Sequence, residues 1–289
     1  MADRAPVPQQ PIFNLSAYSP AEIKEAIEKV GVKKANLPFQ ASFMLAMVAG
    51  GSIGLGAVYY TIVASDADLS FATVRVVGGL TFSLGLALVL IAGAELFTGN
   101  NLIVMAWVSG KVSMRQMLRN WAIVYCGNLV GSLGLVVLVF FSHHLEMNGG
   151  RIGSSVLNTA VGKIQPDFVT LFFKGILCNV LVCLAVWLAY AGRSVTDKII
   201  GAVLPVSAFI AAGFEHCVAN MYFLPMAWLL TQTGNVPSDF DNSLITISGI
   251  VHNLVPVTLG NIVGGAGLVG AVYWVIYRAA FGPTYLGGK

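Results

Sequence analysis

Long stretches without a charged side chain, separated by short polar ones, run through most of the chain. Uncharged runs cover 40–65, 76–94, 96–110, 120–142, 168–192 apart from Lys174, 199–214, 217–233 and much of the segment from 244 to 276. About 20 apolar residues suffice to cross a bilayer core. The run 96–110 measures only about 22 Å as helix and is too short to cross alone, so it continues the run before it past an interruption at 95–100. The run 217–233 likewise continues 199–214. The pattern therefore predicts six spans, with the second and fifth interrupted.

The interruptions are related. Ala92, Gly93, Glu95 and Asn100 in AGAELFTGN return as Ala212, Gly213, Glu215 and Asn220 in AGFEHCVAN, and GNLVGSLGLV from Gly127 returns as GNIVGGAGLV from Gly260. Two motifs repeated in the same order indicate an internal duplication of three spans, about 37–142 and 168–278. An odd number of spans per repeat inverts the second relative to the first, the architecture of many channels and transporters. The fold expected is all-α, polytopic and membrane-embedded.

Ahead of the first span, Ser19-Pro20-Ala21-Glu22 reads as a helix start with a capping box. Ile23, Ala26, Ile27 and Val30 share one face and Lys24, Glu25, Glu28 and Lys29 cover the rest, which predicts an amphipathic interfacial anchor ending near Gly31. Residues 1–18 are Pro-rich and polar and are expected to be poorly ordered. The chain thus divides into an amino-terminal segment 1–36, a transmembrane domain 37–280 and a short tail 281–289. A long polar loop is expected between spans 3 and 4.

Composition supports the membrane reading: 56% of residues are hydrophobic, 10% are charged, and mean hydropathy is +0.79. The net charge of +3 is too small and dispersed to indicate nucleic acid. Twelve Lys and Arg fall on the side of the termini and four (Arg75, Arg151, Lys163, Lys174) on the other, which puts both termini in the cytoplasm. No signal peptide is read at the amino terminus. Tyr273, Trp274 and Tyr277 read as an interfacial belt. Cys126, Cys178, Cys183 and Cys217 lie in apolar segments without metal-ligand spacing, as small buried hydrophobes. Neither a metal nor a cofactor is expected.

A broken helix at membrane depth exposes backbone polar groups, tolerable only inside protein or along a wet path. The N-terminal ends of the continuing half-helices favour a small anion. Where the first copy has Leu96 and Thr98 the second has His216 and Val218, so the centre carries one hydroxyl and one imidazole. A lone membrane histidine is often a packed helix contact; its place at the break favours hydrogen bonding or proton exchange with a weak-acid anion. Glu95 and Glu215 either bind a cation or brace the breaks by accepting orphan backbone N–H groups, and their symmetry favours bracing. Asn100, Asn179, Asn220 and Asn261 read as hydrogen bonders of loops and helix contacts. Phe82, Leu86, Leu96, Phe97, Val182 and Phe209 are candidates for apolar constrictions.

FSLGLALVLIAGAELFTGN, FKGILCNVLVCLAVW, GFEHCVANM and NLVPVTLGNIVGG closely resemble the formate-nitrite transporter family over about 35–277. The resemblance implies an aquaporin-like fold in a homopentamer with a pore in each protomer, in a bacterial cytoplasmic membrane. Formate is the implied solute, with nitrite, acetate or hydrosulfide as alternatives and protons as a possible co-substrate. It also implies that Thr98 and His216 form the central polar pair with Asn179 beside them, and that Phe82, Leu86, Leu96, Val182 and Phe209 form the constrictions. Lys163 matches a lysine that draws anions in, and 96–100 a gating loop. A neutral-solute channel would want twin Asn-Pro-Ala loops, which are absent, and an intramembrane enzyme would want a catalytic or metal pattern such as HExxH, also absent.

Overall fold

The computed structural model describes residues 16–281. The Pro-rich 1–15 and the tail 282–289, with the charges of Arg4 and Lys289, lie outside the described residues. The regular elements of the described residues are all helices. Among the described residues, six helical segments are long and apolar enough to cross a membrane: Phe39–Ala64 (α2), Phe71–Ala92 (α3), Met114–Phe141 (α6), Phe168–Ala191 (α8), Val195–Ala212 (α9) and Ile247–Arg278. The last comprises α11 (Ile247–Ile262), a π-helical stretch Val263–Ala271 and the start of α12 (Val272–Phe281).

Helix α1 (Pro20–Ala35) begins at Ser19 with the expected capping box and runs four residues beyond Gly31. It is more deeply seated than an interfacial anchor. Lys24 and Glu28, expected to face water, are buried beside Ile23 and Ile27. Glu28 is only 2% exposed, paired with Lys24 and, at 2.5 Å, with Lys111 from the turn before α6. A buried carboxylate needs such partners, and they explain why a charged face lies inside. At Gly31 a Cβ would stand 3.3 Å from the Ala106 side chain, so the glycine sets how closely α1 approaches α5 (Val104–Val108).

The loop expected between spans 3 and 4 contains a 14-residue helix, α7 (Arg151–Ile164). Its polar surface masked it, yet every fourth or so residue (Ile152, Val156, Leu157, Ala160, Ile164) is apolar and buried. Helix α7 stands to α8 as α1 stands to α2, so the duplication includes a short helix ahead of each set of three spans.

The GNLVG and GNIVG echoes are helix crossings. A Cβ on Gly131 would lie 1.9 Å from Met47 O, and one on Gly50 2.0 Å from Asn128 O, so α2 and α6 touch backbone to backbone. In the second repeat Gly260 and Gly264 meet Phe172 O and Ile176 O at 2.1 and 2.2 Å in the same sense. Close approach through small residues is how membrane helices gain packing without a hydrophobic driving force.

One smaller expectation changes. Cys178, Cys183 and Cys217 are buried but Cys126 is exposed on α6. Tyr273 and Tyr277 stack on Trp187, with centroids at 4.3 and 6.1 Å, and Trp274 donates to the Ser109 hydroxyl at 2.8 Å. These aromatics fix α12 to its neighbours.

Candidate pore and its two breaks

Each interruption has the same backbone. Helix α3 ends at Gly93, φ 66°, and α9 ends at Gly213, φ 73°, left-handed caps that glycine accepts without strain. Three non-helical residues follow, the last of them (Leu96 or His216) extended, then α4 (Phe97–Asn100) in one repeat and α10 (Cys217–Gln232) in the other. The irregular backbone is therefore 93–96, and 97–100 is already helical, which shifts the break from the expected 95–100. Beyond α4 the first repeat tightens into a 3-10 turn, Asn101–Ile103, and then α5, whereas α10 runs on for 16 residues.

Asparagines inside the echoed motif satisfy these breaks. Asn128 accepts from Phe97 N at 2.9 Å and donates to Glu95 O at 2.9 Å and Ala46 O at 2.8 Å. Asn261 accepts from Cys217 N at 3.0 Å and donates to Glu215 O at 2.9 Å and Gly175 O at 2.8 Å. The first N–H of each continuing half-helix is thus occupied and is not available to an anion. The Glu95 and Glu215 backbone N–H groups reach Leu45 O and Lys174 O, each at 3.3 Å.

The two glutamates brace side chains and cations rather than loop N–H groups. Glu95 pairs with Lys34 at 3.1 Å and accepts from Asn100 at 2.6 Å. Glu215 pairs with Lys163 at 3.2 Å and accepts from Asn220 at 2.8 Å. Asn120 and Asn253 complete the pattern: each accepts from that asparagine and donates to the carbonyl of that lysine. Neither carboxylate is left without a counter-charge in the protein interior, as burial demands. Lys34 escaped the sequence reading; its signal was its place just before span 1, matching Lys163 just before span 4. Asn128 was also missed, although the GNLVG echo carried it.

Thr98 and His216 meet between the breaks, with Oγ1 and Nε2 3.0 Å apart and both residues buried. His216 is also the N-cap of α10: its Nδ1 accepts from Ala219 N at 3.1 Å. A backbone N–H can only donate, so Nδ1 carries no proton and Nε2–H donates to the Thr98 hydroxyl. That leaves the hydroxyl hydrogen free for another acceptor. Asn179 sits behind this pair, donating to Thr98 O at 3.3 Å, Asn101 Oδ1 at 2.8 Å and Asn261 O at 2.6 Å.

A void of about 10 Å³ beside His216 is lined by Ile53, Phe82, Leu86, Leu96, Val182, Val206 and Phe209. Five of the six expected constriction residues surround it. Phe97 does not; it packs edge-on against Trp121 and Tyr125. Phe82 and Phe209 cross at 81° with centroids 5.9 Å apart, and Phe209 stacks on the His216 ring at 5.8 Å. Such a space holds about one water at most. On the α1 side lies a cavity of about 350 Å³, whose lining includes Lys33, Lys34, Glu95, Gly99 and Tyr190. Leu86 and Leu96 line both spaces and form the wall between them.

Six spans in two inverted repeats, with paired broken helices meeting at a buried polar pair behind apolar walls, define a multi-pass membrane protein of the channel and transporter class. Residues 21–275 match the formate/nitrite transporter family, and the chain belongs to it. It is 42% identical over 268 residues to the formate channel FocA of Escherichia coli strain K12, covering 89% of this chain and 94% of that one. Against the formate channel FocA of Haemophilus influenzae the identity is 41% over 264 residues, covering 88% and 93%. A solved structure described as a pentameric formate channel with formate bound superposes with a TM-score of 0.76 at 42% identity, covering 83% of this chain and 97% of that one.

Proposed function

We propose that the protein conducts small monovalent anions of weak acids, formate foremost, through a pore within each protomer of a homopentamer. The relatives described as formate channels support the solute, and the pentameric structure with formate bound supports the assembly. The observation that carries the mechanism is the Thr98–His216 hydrogen bond set between the Leu86–Leu96 wall and the Phe82–Phe209 pair. The excess of Lys and Arg on the side of the termini supports a cytoplasmic placement of both ends, in a bacterial inner membrane.

The path runs from the cavity beneath α1, past Leu86 and Leu96, to the centre and out past Phe82 and Phe209. Lys34 lines the cavity on one side of the centre and Lys163 stands near the other, each with its charge offset by a glutamate, so they offer hydrogen-bond donors rather than net positive charge. A bare charge then meets an apolar wall, where passage is costly. The Thr98 hydroxyl hydrogen, left free because Nε2–H donates to its oxygen, supplies a donor at that point; formate that takes a proton from hydronium on the entry side crosses as formic acid and returns the proton to water on the other side. The anion must displace the leucines, since the void beside His216 is smaller than three heavy atoms require. No bond of the solute other than that to its proton changes, so the activity is transport and not catalysis.

Uptake of formate, nitrite, hydrosulfide and glycerol by proteoliposomes tests the reading. Formate uptake well above that of glycerol supports it. Glycerol passage without formate contradicts it, and nitrite faster than formate moves the solute assignment to nitrite.

A further inference from the structure

The two breaks share a backbone but differ in what holds the half-helix that enters each. At the second, the guanidinium of Arg75, from α3, caps the end of α9. Its Nε donates to Ala211 O at 2.9 Å and its Nη2 to Ile210 O at 2.7 Å. Both carbonyls belong to the last turn of α9; Ile210 O also accepts from Gly213 N at 3.1 Å, and a cation there meets the negative end of the helix dipole. A Cβ on Gly213 would lie 2.8 Å from Nη2, so this glycine leaves the room that the guanidinium fills. At the first break, a Cβ on Gly93 would meet nothing within 4 Å. The duplication places Val195, in the first turn of α9, where Arg75 stands in α3.

The clamped turn is the one that shapes the centre. It carries Phe209, whose ring lies against both Phe82 and His216, and whose carbonyl accepts from Phe214 N inside the break at 3.0 Å. His216 follows Gly213 by three residues. We propose that Arg75 is a positioning residue for permeation: by holding the end of α9 it fixes the Phe209–His216 stack and stiffens the second break, a clamp with no counterpart at the first among the described residues. The flux part of this inference rests on the formate reading; the rigidity part does not.

Hydrogen exchange over 209–220 and 89–100 of the purified protein, together with formate uptake after reconstitution, tests it on R75M, R75K and V195R. R75M loses two charge-assisted hydrogen bonds, so exchange across 213–218 should rise about tenfold while 93–98 stays unchanged. Formate uptake should fall several-fold, and R75K, which keeps the cation, should restore part of both. V195R should slow exchange across 93–98 and leave 213–218 as it was, and this variant carries the test where R75M fails to assemble. Unchanged exchange in R75M, raised exchange with undiminished uptake, or no effect of V195R on 93–98 would each overturn the proposal. A wild-type protein that takes up no formate would instead overturn the solute reading, with the exchange data still deciding on Arg75.

Discussion

Thr98 Oγ1 and His216 Nε2 lie 3.0 Å apart although 118 positions separate them, because Thr98 sits just past the break of its repeat and His216 closes the break of the other. The repeat supplies the backbone twice and changes the side chains, so a symmetric scaffold carries an asymmetric centre. Capping of α10 by Nδ1 sets the tautomer. Solid-state 15N spectra of histidine-labelled protein should show His216 with a proton on Nε2 and none on Nδ1. The opposite tautomer would break the link between the cap and the donor.

Asn128 and Asn261 make matching sets of three buried hydrogen bonds to the two breaks. Substitution by leucine removes the partner of one N–H and one carbonyl in each break, Phe97 N and Glu95 O or Cys217 N and Glu215 O, at about 1–3 kcal/mol per unsatisfied group. N128L and N261L should therefore lower the melting temperature in detergent by similar amounts, and much more than leucine at the exposed Gln40. A harmless N261L would show that the second break is held by something else.

The glycine crossings set a steric limit. At Gly131 and Gly260 even a methyl group overlaps a carbonyl of the facing helix, and overpacking of this kind costs about 1–3 kcal/mol. G131A and G260A should each reduce thermal stability and the yield of folded protein. G134A, where a Cβ meets nothing within 4 Å, should not.

Glu28 ties α1 to the rest of the molecule in a pH-dependent way. Burial raises its pKa, but hydrogen bonds from Lys111, Lys24 and Ser109 outweigh that and bring it below the ordinary carboxylate value. The stability from a carboxyl so shifted is complete above the ordinary value and is lost as pH falls through its own lower one. Exchange protection of 20–35 should therefore stay constant through the neutral range and drop only in acid below the ordinary carboxylate range. E28Q should show the unprotected behaviour already at neutral pH. Loss of protection in the wild type near neutrality would place the titrating group elsewhere.

The sequence revealed the spans and the duplication because charge exclusion and the Glu–Asn and Gly–Asn echoes act locally along the chain. Thr98, His216 and most of the constriction were legible because they differ between, or flank, the repeated motifs. What escaped depends on contacts between distant segments. Lys24 and Glu28 look solvent-facing until Lys111 arrives to pair with them. Arg75 looks like a charge at the end of a span until α9 brings its carbonyls alongside. Helix α7 hid behind its polar face, and Phe97, apolar beside the break, turns toward Trp121 and Tyr125 instead of the void.

The most direct measurement of the central claim is formate uptake by proteoliposomes bearing H216N beside the wild type. Asparagine keeps an N-cap acceptor for α10 but has no atom at the Nε2 position, so the fold is retained while the donor to Thr98 is lost. The account predicts that H216N assembles and melts like the wild type yet takes up formate at least several-fold more slowly, with an altered pH dependence. Uptake equal to the wild type in rate and pH profile would contradict it.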